Sequence, residues 1–214
     1  MKILNLANVI TIGRIVLMYV LVWMLYSHDV LQRILAFFLA IAIIILDAVD
    51  GYVARKRNET SQFGGVLDIT GDRIVENVFW IVFADLDIIP MWIPIFMMSR
   101  GFITDAMRSQ ALSKGKTAFG ENTMMVTYLG KFLVSGRFMR AFYGVIKGIT
   151  FPYLIFVTIF TEKVLTNADL SNLSWLIPYA TQIGLMLSIF TALVSLVRGL
   201  PVVIEGRHLF ANNR

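Results

Sequence analysis

The chain of 214 residues contains no cysteine and only two histidines. The absence of cysteine excludes a disulfide framework and thiol redox chemistry. Charged residues are also scarce, since Asp, Glu, Lys and Arg make up 15% of the chain, whereas hydrophobic residues make up 57%. Together with a mean hydropathy of +0.74, this composition is typical of a polytopic membrane protein and not of a soluble domain.

The sequence has no internal repeat, low-complexity tract or linker, so we interpret residues 1–214 as a single membrane domain. One lysine lies before the first apolar run, and no small-residue cleavage site follows that run. The run is therefore interpreted as a retained helix and not as a removed signal peptide.

Crossing the hydrocarbon core of a bilayer takes about 20 apolar residues in a helix. Apolar segments of about this length predict an all-α, polytopic membrane protein with six transmembrane helices. The segments run from Ile10 to Tyr26, Leu31 to about Arg57, Gly65 to about Ala84, Ile93 to about Leu112, Phe142 to Phe160 and Leu173 to Val197. A longer polar stretch, residues 113–140, separates the fourth segment from the fifth, and a tail that begins at Arg198 follows the sixth.

Most Lys and Arg residues lie at the N-terminus, in the tail and at the ends of the even-numbered segments. Because cytoplasmic loops carry an excess of Lys and Arg, we expect both termini on the cytoplasmic side, together with the aspartate-rich stretch described next. The formal net charge of +5 follows from this bias and from attraction to anionic membrane lipids. It does not indicate a nucleic acid partner.

Four aspartates lie where the second predicted helix ends and the third begins: Asp47, Asp50, Asp68 and Asp72. At about 100° per residue, the first two lie roughly 60° apart around a helix and the last two roughly 40° apart. If the two helices face each other, the four carboxylates converge, and like charges that close need a counter-charge. An acidic side chain within a membrane span is costly and by default marks a functional site.

Divalent cations are the natural counter-charge, and a site that offers only oxygen ligands favours Mg²⁺, Mn²⁺ or Ca²⁺ over Zn²⁺. Gly51 and Gly64 would let another backbone or a ligand phosphate approach closely. Arg55 can offer a fork of donors to a phosphate. These residues indicate a metal-bound phosphate ester or diphosphate as the substrate. The alternative is that the carboxylates are buried partners of nearby arginines.

This stretch resembles, at every fixed position, the signature of the CDP-alcohol phosphotransferase family: Asp47-x-x-Asp50-Gly51-x-x-Ala54-Arg55, eight residues, then Gly64-x-x-x-Asp68-x-x-x-Asp72. The resemblance implies a six-helix membrane enzyme, usually a homodimer, that binds two divalent ions, Mg²⁺ or Mn²⁺. Such enzymes transfer the phosphatidyl group of a CDP-diacylglycerol-type lipid to a small polar alcohol and release CMP.

The resemblance also implies roles for the residues of the motif. All four aspartates are expected to be metal ligands, and Asp72 is also expected to be the catalytic base that deprotonates the acceptor hydroxyl. The expected CDP-lipid-binding positions are Gly51, Ala54, Arg55 and Gly64. For Asp72, the role of metal ligand is expected more firmly than the role of catalytic base.

A second constellation is the polar stripe Asn8, Thr11 and Arg14 on the first predicted helix. By itself this stripe could be an ordinary helix start, with Asn8 or Thr11 as the cap and Arg14 reaching toward lipid headgroups. Several members of the same family open with a similar Asn-x-x-Thr-x-x-Arg beside the nucleotide site. The resemblance therefore implies that these three residues bind the CDP-lipid.

A third constellation concerns the acceptor. Arg100 and Arg108 lie about 12 Å apart along the fourth predicted helix and roughly 80° apart around it. Arg100 is expected to be the deeper of the two, and an arginine at that depth needs an anion. Asp105 could provide it as a structural partner. Alternatively, Arg100, Arg108, Lys131 and Arg137 hold the phosphate of a phosphorylated alcohol.

The identity of that alcohol is open to two interpretations. The segment from Arg100 to Arg108, with Leu129-Gly130-Lys131, resembles the phosphatidylglycerophosphate synthases and implies glycerol 3-phosphate. The pair Asp72-Arg73 resembles the inositol-phosphate branch, which makes inositol phosphate the alternative acceptor. A cation-coupled membrane transporter and an intramembrane prenyltransferase are alternatives outside this activity, but the Gly-x-x-Ala-Arg between the acidic pairs suits neither.

Overall fold

The computed structural model describes residues 6–56, 62–117 and 122–207, without the side chains of residues 48, 50–56, 62, 162, 163 and 167. Within these ranges the chain is almost entirely helical, and its only extended pairing is an isolated bridge between Thr117 and Thr123. The helices are α1 (Leu6–Leu25), α2 (Val30–Lys56), α3 (Gln62–Asp85), α4 (Trp92–Ser113), α5 (Tyr128–Gly130), α6 (Arg137–Ile159), α7 (Glu162–Asn167) and α8 (Ile177–Gly206). A π-helix, Lys131–Ser135, follows α5, and a 3₁₀-helix, Ser171–Leu176, precedes α8.

Four helical segments of the described chain are long and apolar enough to cross a membrane: Leu6–Leu25, Val30–Asp47, Arg137–Ile159 and Ser171–Gly206. The helices α3 and α4 are as long as α1 but carry more charged and polar residues. The prediction of an all-helical membrane protein is confirmed, whereas the count of six spans stays a prediction.

The first four predicted helices agree with α1 to α4 to within four residues at each end. The fifth was placed too late, because α6 begins at Arg137 and takes in the last four residues of the predicted polar stretch, 137–140. The short helices α5 and α7 and the π-helix were not predicted.

The predicted end of the last helix is also wrong. The sequence Arg198-Gly199-Leu200-Pro201 has the composition of a helix end, yet α8 continues to Gly206. Arg198 is buried, its Nε donates to the carbonyl of Leu133 at 3.2 Å, and its guanidinium lies 5.0 Å from the ring centroid of Tyr143. These contacts accommodate the charge inside the helix, so Arg198 does not belong to the tail.

The chain divides into two compact units, Met1–Pro90 with Phe151–Leu185, and Met91–Thr150 with Met186–Arg214. The helices α6 and α8 each contribute residues to both units. The interpretation of residues 1–214 as one domain stays a prediction.

In the first unit, α1 packs against both α2 and α3. The buried residues of α1 recur every three or four positions, as expected for one face of a helix, and include Ala7, Thr11, Arg14, Met18, Leu21 and Leu25. Apolar residues fill most of this face. The polar members, Asn8, Thr11 and Arg14, lie on the N-terminal half of α1, where the aspartates of α2 and α3 are found.

Two features hold the rest of this unit together. Phe151 of α6 packs its ring against Phe79 and Trp80 of α3, with both centroids at 5.1 Å. Arg33, buried in the first turns of α2, donates from Nε to the Ser27 carbonyl at 2.8 Å and from Nη1 to the Thr158 carbonyl at 3.1 Å. Arg33 thus satisfies carbonyls at the C-terminal ends of α1 and α6, which have no partner within their own helices.

In the second unit, a buried apolar cluster joins α4, the π-helix and α8. Its members are Ala111, Met124, Met125, Val134 and Val202. A β-carbon added to Gly199 would lie 2.8 Å from Arg100 Nε, and one added to Gly206 would lie 2.6 Å from the Met107 side chain. The two glycines therefore let side chains of α4 approach the backbone of α8 closely.

Candidate active site

Three of the four predicted aspartates converge in the first unit. Asp47 lies on α2 and Asp68 and Asp72 lie on α3. One carboxylate oxygen from each lies within 4.8 Å of the others. Residues four positions apart lie on one helix face, so the spacing of Asp68 and Asp72 places both toward α2. The predicted convergence is confirmed for these three side chains.

Arg14 of α1 lies against this cluster of three aspartates. Its Nη1 forms an ion pair with Asp47, and its Nη2 donates to Asp72 Oδ1 at 2.8 Å and lies 3.9 Å from Asp68 Oδ1. The Arg14 side chain is 2% exposed, whereas the three carboxylates are 47–49% exposed. The Arg14 side chain is therefore buried, whereas the carboxylates that it contacts are half exposed.

Gly71 explains how Arg14 reaches the aspartates of α3. A β-carbon at this position would lie 2.9 Å from Thr11 Cγ2 and 3.2 Å from Arg14 Nη2. Real β-carbons do not come so close to other atoms, so a larger residue would push α1 and α3 apart or displace these side chains. The Thr11 hydroxyl donates to its own helix, at the Ala7 carbonyl (3.1 Å), while its methyl group makes the contact with α3.

The charge of the cluster is unbalanced. Three carboxylates and one guanidinium leave a formal charge of −2, which is the charge that one divalent cation neutralises. Ligands on opposite sides of a Mg²⁺ ion lie about 4.2 Å apart, and those of a Ca²⁺ ion about 5 Å apart. Oxygens within 4.8 Å of one another fit such an ion with a small movement at most. A divalent ion could therefore bind at this half-exposed cluster.

Several predicted site residues lie outside this description. The side chains of Asp50, Gly51, Ala54 and Arg55 are not described, although all four positions belong to α2. Gly64 lies in the first turn of α3, half-buried.

Asn8 is buried on the same face of α1 as Thr11 and Arg14. The three residues of the predicted polar stripe thus share the face that packs within the unit. Their role in binding a CDP-lipid stays a prediction.

All four predicted acceptor residues belong to the second unit. Arg100 Nε donates to the Ser195 carbonyl at 3.0 Å. Arg108 pairs at 3.6 Å with Asp105, the carboxylate that the structural interpretation assigned to Arg100. Lys131 and Arg137 are exposed, and they lie at the beginning of the π-helix and at the beginning of α6.

Sequence analysis missed Glu76, a buried acidic residue one turn beyond Asp72 on α3. Glu76 pairs with Arg73, with Oε2 3.4 Å from Nη1. The signal was available, since Asp68, Asp72 and Glu76 recur every four residues and so follow one helix face. The pair also gives Arg73 a partner within the protein.

Comparison with known proteins identifies relatives. A family model described as CDP-alcohol phosphatidyltransferase matches residues 4–204. A Rickettsia bellii protein named CDP-diacylglycerol--glycerol-3-phosphate 3-phosphatidyltransferase is 31% identical over 135 residues, which are 61% of this chain and 73% of that protein. The Rickettsia typhi protein of the same name is 29% identical over 132 residues, 61% of this chain and 74% of its own length. A Mycobacterium tuberculosis protein named "Probable phosphatidylglycerophosphate synthase" is 26% identical over 117 residues, 53% and 56% of the two chains.

Proposed function

The chain belongs to the CDP-alcohol phosphatidyltransferase family, and we propose that it transfers the phosphatidyl group of a CDP-diacylglycerol-type lipid to glycerol 3-phosphate. The observation that carries this proposal is the cluster formed by Asp47, Asp68 and Asp72 above the buried Arg14. A half-exposed group of oxygen ligands with excess negative charge suits a substrate that arrives as a metal-bound diphosphate.

The proposed site comprises the residues of the motif and of the stripe on α1. Asp47, Asp50, Asp68 and Asp72 would hold two Mg²⁺ or Mn²⁺ ions. When bound there, the ions would supply charge neutralisation to the diphosphate and to the departing CMP. The CDP-lipid would contact the remaining positions, which are Asn8, Thr11, Arg14, Gly51, Ala54, Arg55 and Gly64.

The reaction is a displacement at phosphorus. The hydroxyl oxygen of the acceptor forms a bond to the phosphorus that carries the lipid, and the bond from that phosphorus to the CMP oxygen breaks. CMP leaves with the electron pair, and the hydroxyl proton moves to Asp72. Arg14 Nη2 donates to Oδ1 of Asp72, and the carboxylate has further lone pairs with which it can accept the proton.

Glycerol 3-phosphate is favoured as the acceptor by the names of the relatives from Rickettsia. The feature that favoured inositol phosphate was Asp72-Arg73. Since Arg73 pairs with Glu76, this arginine has a role within α3 that does not depend on an inositol headgroup. Arg100, Arg108, Lys131 and Arg137 are the proposed ligands of the acceptor phosphate, because guanidinium and ammonium groups bind phosphate by charge-assisted hydrogen bonds.

The protein is an integral membrane protein, as the four apolar helices and the family indicate. We further propose six spans, with the active site and both termini on the cytoplasmic side, and a homodimer. Support for the orientation comes from the distribution of Lys and Arg in the sequence.

The test is CMP release by the protein purified in detergent with Mg²⁺ and CDP-diacylglycerol. Glycerol 3-phosphate, inositol phosphate, inositol and serine are supplied as acceptors in parallel. Release with glycerol 3-phosphate alone is the expected result. If CMP is released with inositol phosphate instead, the proposed acceptor is wrong but the proposed phosphatidyl transfer stands. If a folded sample releases no CMP with any acceptor, the proposed reaction is refuted.

A further inference from the structure

Glu205, close to the end of α8, is a buried carboxylate outside every site considered above. Its Oε2 accepts from the backbone N–H groups of Val126 at 2.5 Å and of Thr127 at 3.1 Å. Its Oε1 accepts from the Thr127 hydroxyl at 2.5 Å. One side chain therefore binds three donors of a single short loop.

This loop leads directly into Lys131. Thr127 caps α5, since its Oγ1 accepts from the Gly130 N–H at 3.0 Å and its carbonyl accepts from the Lys131 N–H at 2.9 Å. A β-carbon at Gly130 would collide with the Glu205 carboxylate, so glycine is required for this approach. Glu205 thus holds Thr127, the cap of α5, and α5 leads directly into the π-helix that begins at Lys131.

Arg198 contacts the same segment of the chain a few residues after the loop that Glu205 binds. Residues seven positions apart lie about 20° apart around a helix, so Arg198 and Glu205 share one face of α8. Arg198 Nε donates to the Leu133 carbonyl inside the π-helix, and the neighbouring Val134 is buried against Val202. Two charged residues of α8 therefore hold residues 126–133 from both ends.

The contacts of Glu205 and Arg198 stabilise the conformation of residues 126–135. A π-helix is rare, occurs mostly as a single turn, and is frequently found at functional sites. A buried carboxylate is costly unless donors satisfy it, and this conformation of the loop gives Glu205 three donors. The pairing therefore specifies one conformation of the segment.

We propose that Glu205 is a positioning residue that fixes residues 126–135, so that Lys131 binds the phosphate of the acceptor. The inference rests on the proposed function, because it takes Lys131 as a ligand of the acceptor phosphate. Glu205 itself contacts neither substrate.

The first experiment compares Glu205→Ala with Glu205→Gln in the CMP-release assay. Loss of the side chain leaves three donors without their acceptor, and we expect KM for the phosphorylated acceptor to rise at least about tenfold. KM for CDP-diacylglycerol should change less than about twofold. Glutamine should restore most of the acceptor affinity, because its amide oxygen still accepts both N–H groups and its NH₂ donates to Thr127 Oγ1.

A matched pair of variants separates positioning from stability. Thr127→Val removes the hydroxyl between Glu205 and Gly130, and Thr191→Val removes the buried hydroxyl that pairs with Thr150 at 2.9 Å in the same unit. Both should lower Tm, but only Thr127→Val should raise the acceptor KM. This pair also serves if Glu205→Ala fails to fold. Equal effects on the two KM values, or an acceptor KM that moves as much in Thr191→Val, would overturn the inference.

Hydrogen exchange distinguishes failure of this inference from failure of the proposed function. Glycerol 3-phosphate should protect the amides of residues 126–135 in the wild-type protein and not in Glu205→Ala. If the amides of residues 126–135 exchange at the same rates in the wild-type protein and in Glu205→Ala, the positioning role is overturned. If the wild-type protein releases no CMP with any acceptor, the proposed reaction fails, and hydrogen exchange still decides the role of Glu205.

Discussion

Arg14 donates from Nη2 to Oδ1 of Asp72 at 2.8 Å, across 58 positions of the sequence. The side chain proposed to take the proton is thus held by an arginine that the family resemblance assigns to the nucleotide site. The same guanidinium pairs with Asp47 and lies 3.9 Å from Asp68. Arg14 therefore supplies part of the counter-charge for the carboxylates that are proposed to bind the metal.

Replacement of Arg14 should make the protein more dependent on divalent ions. Without divalent ions, Arg14→Gln should lower stability by about 1–3 kcal/mol, since the cluster is half exposed and an unpaired carboxylate there costs less than in a full interior. Mg²⁺ should raise Tm more in Arg14→Gln than in the wild-type protein, because the aspartates then offer more negative charge. Thermal unfolding in detergent with and without Mg²⁺ measures both effects.

The control for this prediction is Arg33→Gln in the same unit. Arg33 is also a buried arginine, but its hydrogen bonds go to carbonyls. This variant should lose stability and keep the Mg²⁺ response of the wild-type protein. The same Mg²⁺ response in Arg14→Gln and wild type would show that Arg14 does not supply counter-charge to the carboxylates that bind the ion.

Asp72→Asn should abolish turnover in a protein that still folds and binds CDP-diacylglycerol. The amide cannot accept the hydroxyl proton, and loss of a general base costs about 10²–10⁴-fold in rate. CMP release and lipid binding are measured on the same sample. Asp87→Asn is the control, since Asp87 is an exposed loop residue whose positive φ of 58° suits asparagine. Turnover of Asp72→Asn at the wild-type rate would exclude Asp72 from the mechanism.

Stability should fall at high pH because of Tyr26, which follows α1. Burial, and then the hydrogen bond to Asp85 (2.5 Å) and its negative charge, raises the pKa of Tyr26 to about 12. In the unfolded chain the pKa of a tyrosine is about 10. Between these two pH values the folded state therefore binds more protons than the unfolded state. The contribution of Tyr26 to stability is complete below about pH 10 and is lost as the pH rises through about 12.

The measurement is Tm as a function of pH in detergent for wild type and for Tyr26→Phe. The variant should show a shallower fall over this range. Tyr19→Phe, which changes an exposed tyrosine of α1, should keep the wild-type slope. If Tyr26→Phe keeps that slope too, the pair with Asp85 does not link stability to pH.

Local patterns predicted a large part of this structure. Apolar length located α1 to α4, and the four-residue spacing of Asp68 and Asp72 placed both on one helix face toward Asp47. Such features depend on residues close in sequence. The partner of Arg14 could not be deduced in this way, because a snorkelling arginine and a buried one have the same local sequence.

The second unit shows the same limit. The π-helix at Lys131–Ser135 has no local pattern of its own, since Arg198 contacts it from 65 positions away and Glu205 contacts the preceding loop from 78 positions away. The predicted end of the last helix failed for a related reason. Local composition favours a helix end at Gly199 and Pro201, whereas tertiary contacts of Arg198 and Glu205 stabilise its continuation.

Gly71 should be intolerant of even one added methyl group. In a helix interior, replacing glycine with alanine gains about 1 kcal/mol of intrinsic helix propensity. At this position the new β-carbon would meet Thr11 Cγ2 at 2.9 Å and Arg14 Nη2 at 3.2 Å. We expect Gly71→Ala to displace Arg14 from Asp72 and to lower CMP release at least about tenfold, with a loss of Tm in place of the usual gain.

A double variant tests the cause. Thr11→Ser removes the methyl group at 2.9 Å and keeps the hydroxyl, so Gly71→Ala with Thr11→Ser should recover a large part of the activity and of the Tm. The coupling between the two sites should be about 0.5–3 kcal/mol, as for residues in contact. Gly65→Ala on the same helix is the control, because a β-carbon there meets nothing within 4 Å; it should leave Tm unchanged or raised. If Thr11→Ser does not relieve Gly71→Ala, the close contact between α1 and α3 is not what makes glycine necessary, and the position of Arg14 does not depend on it.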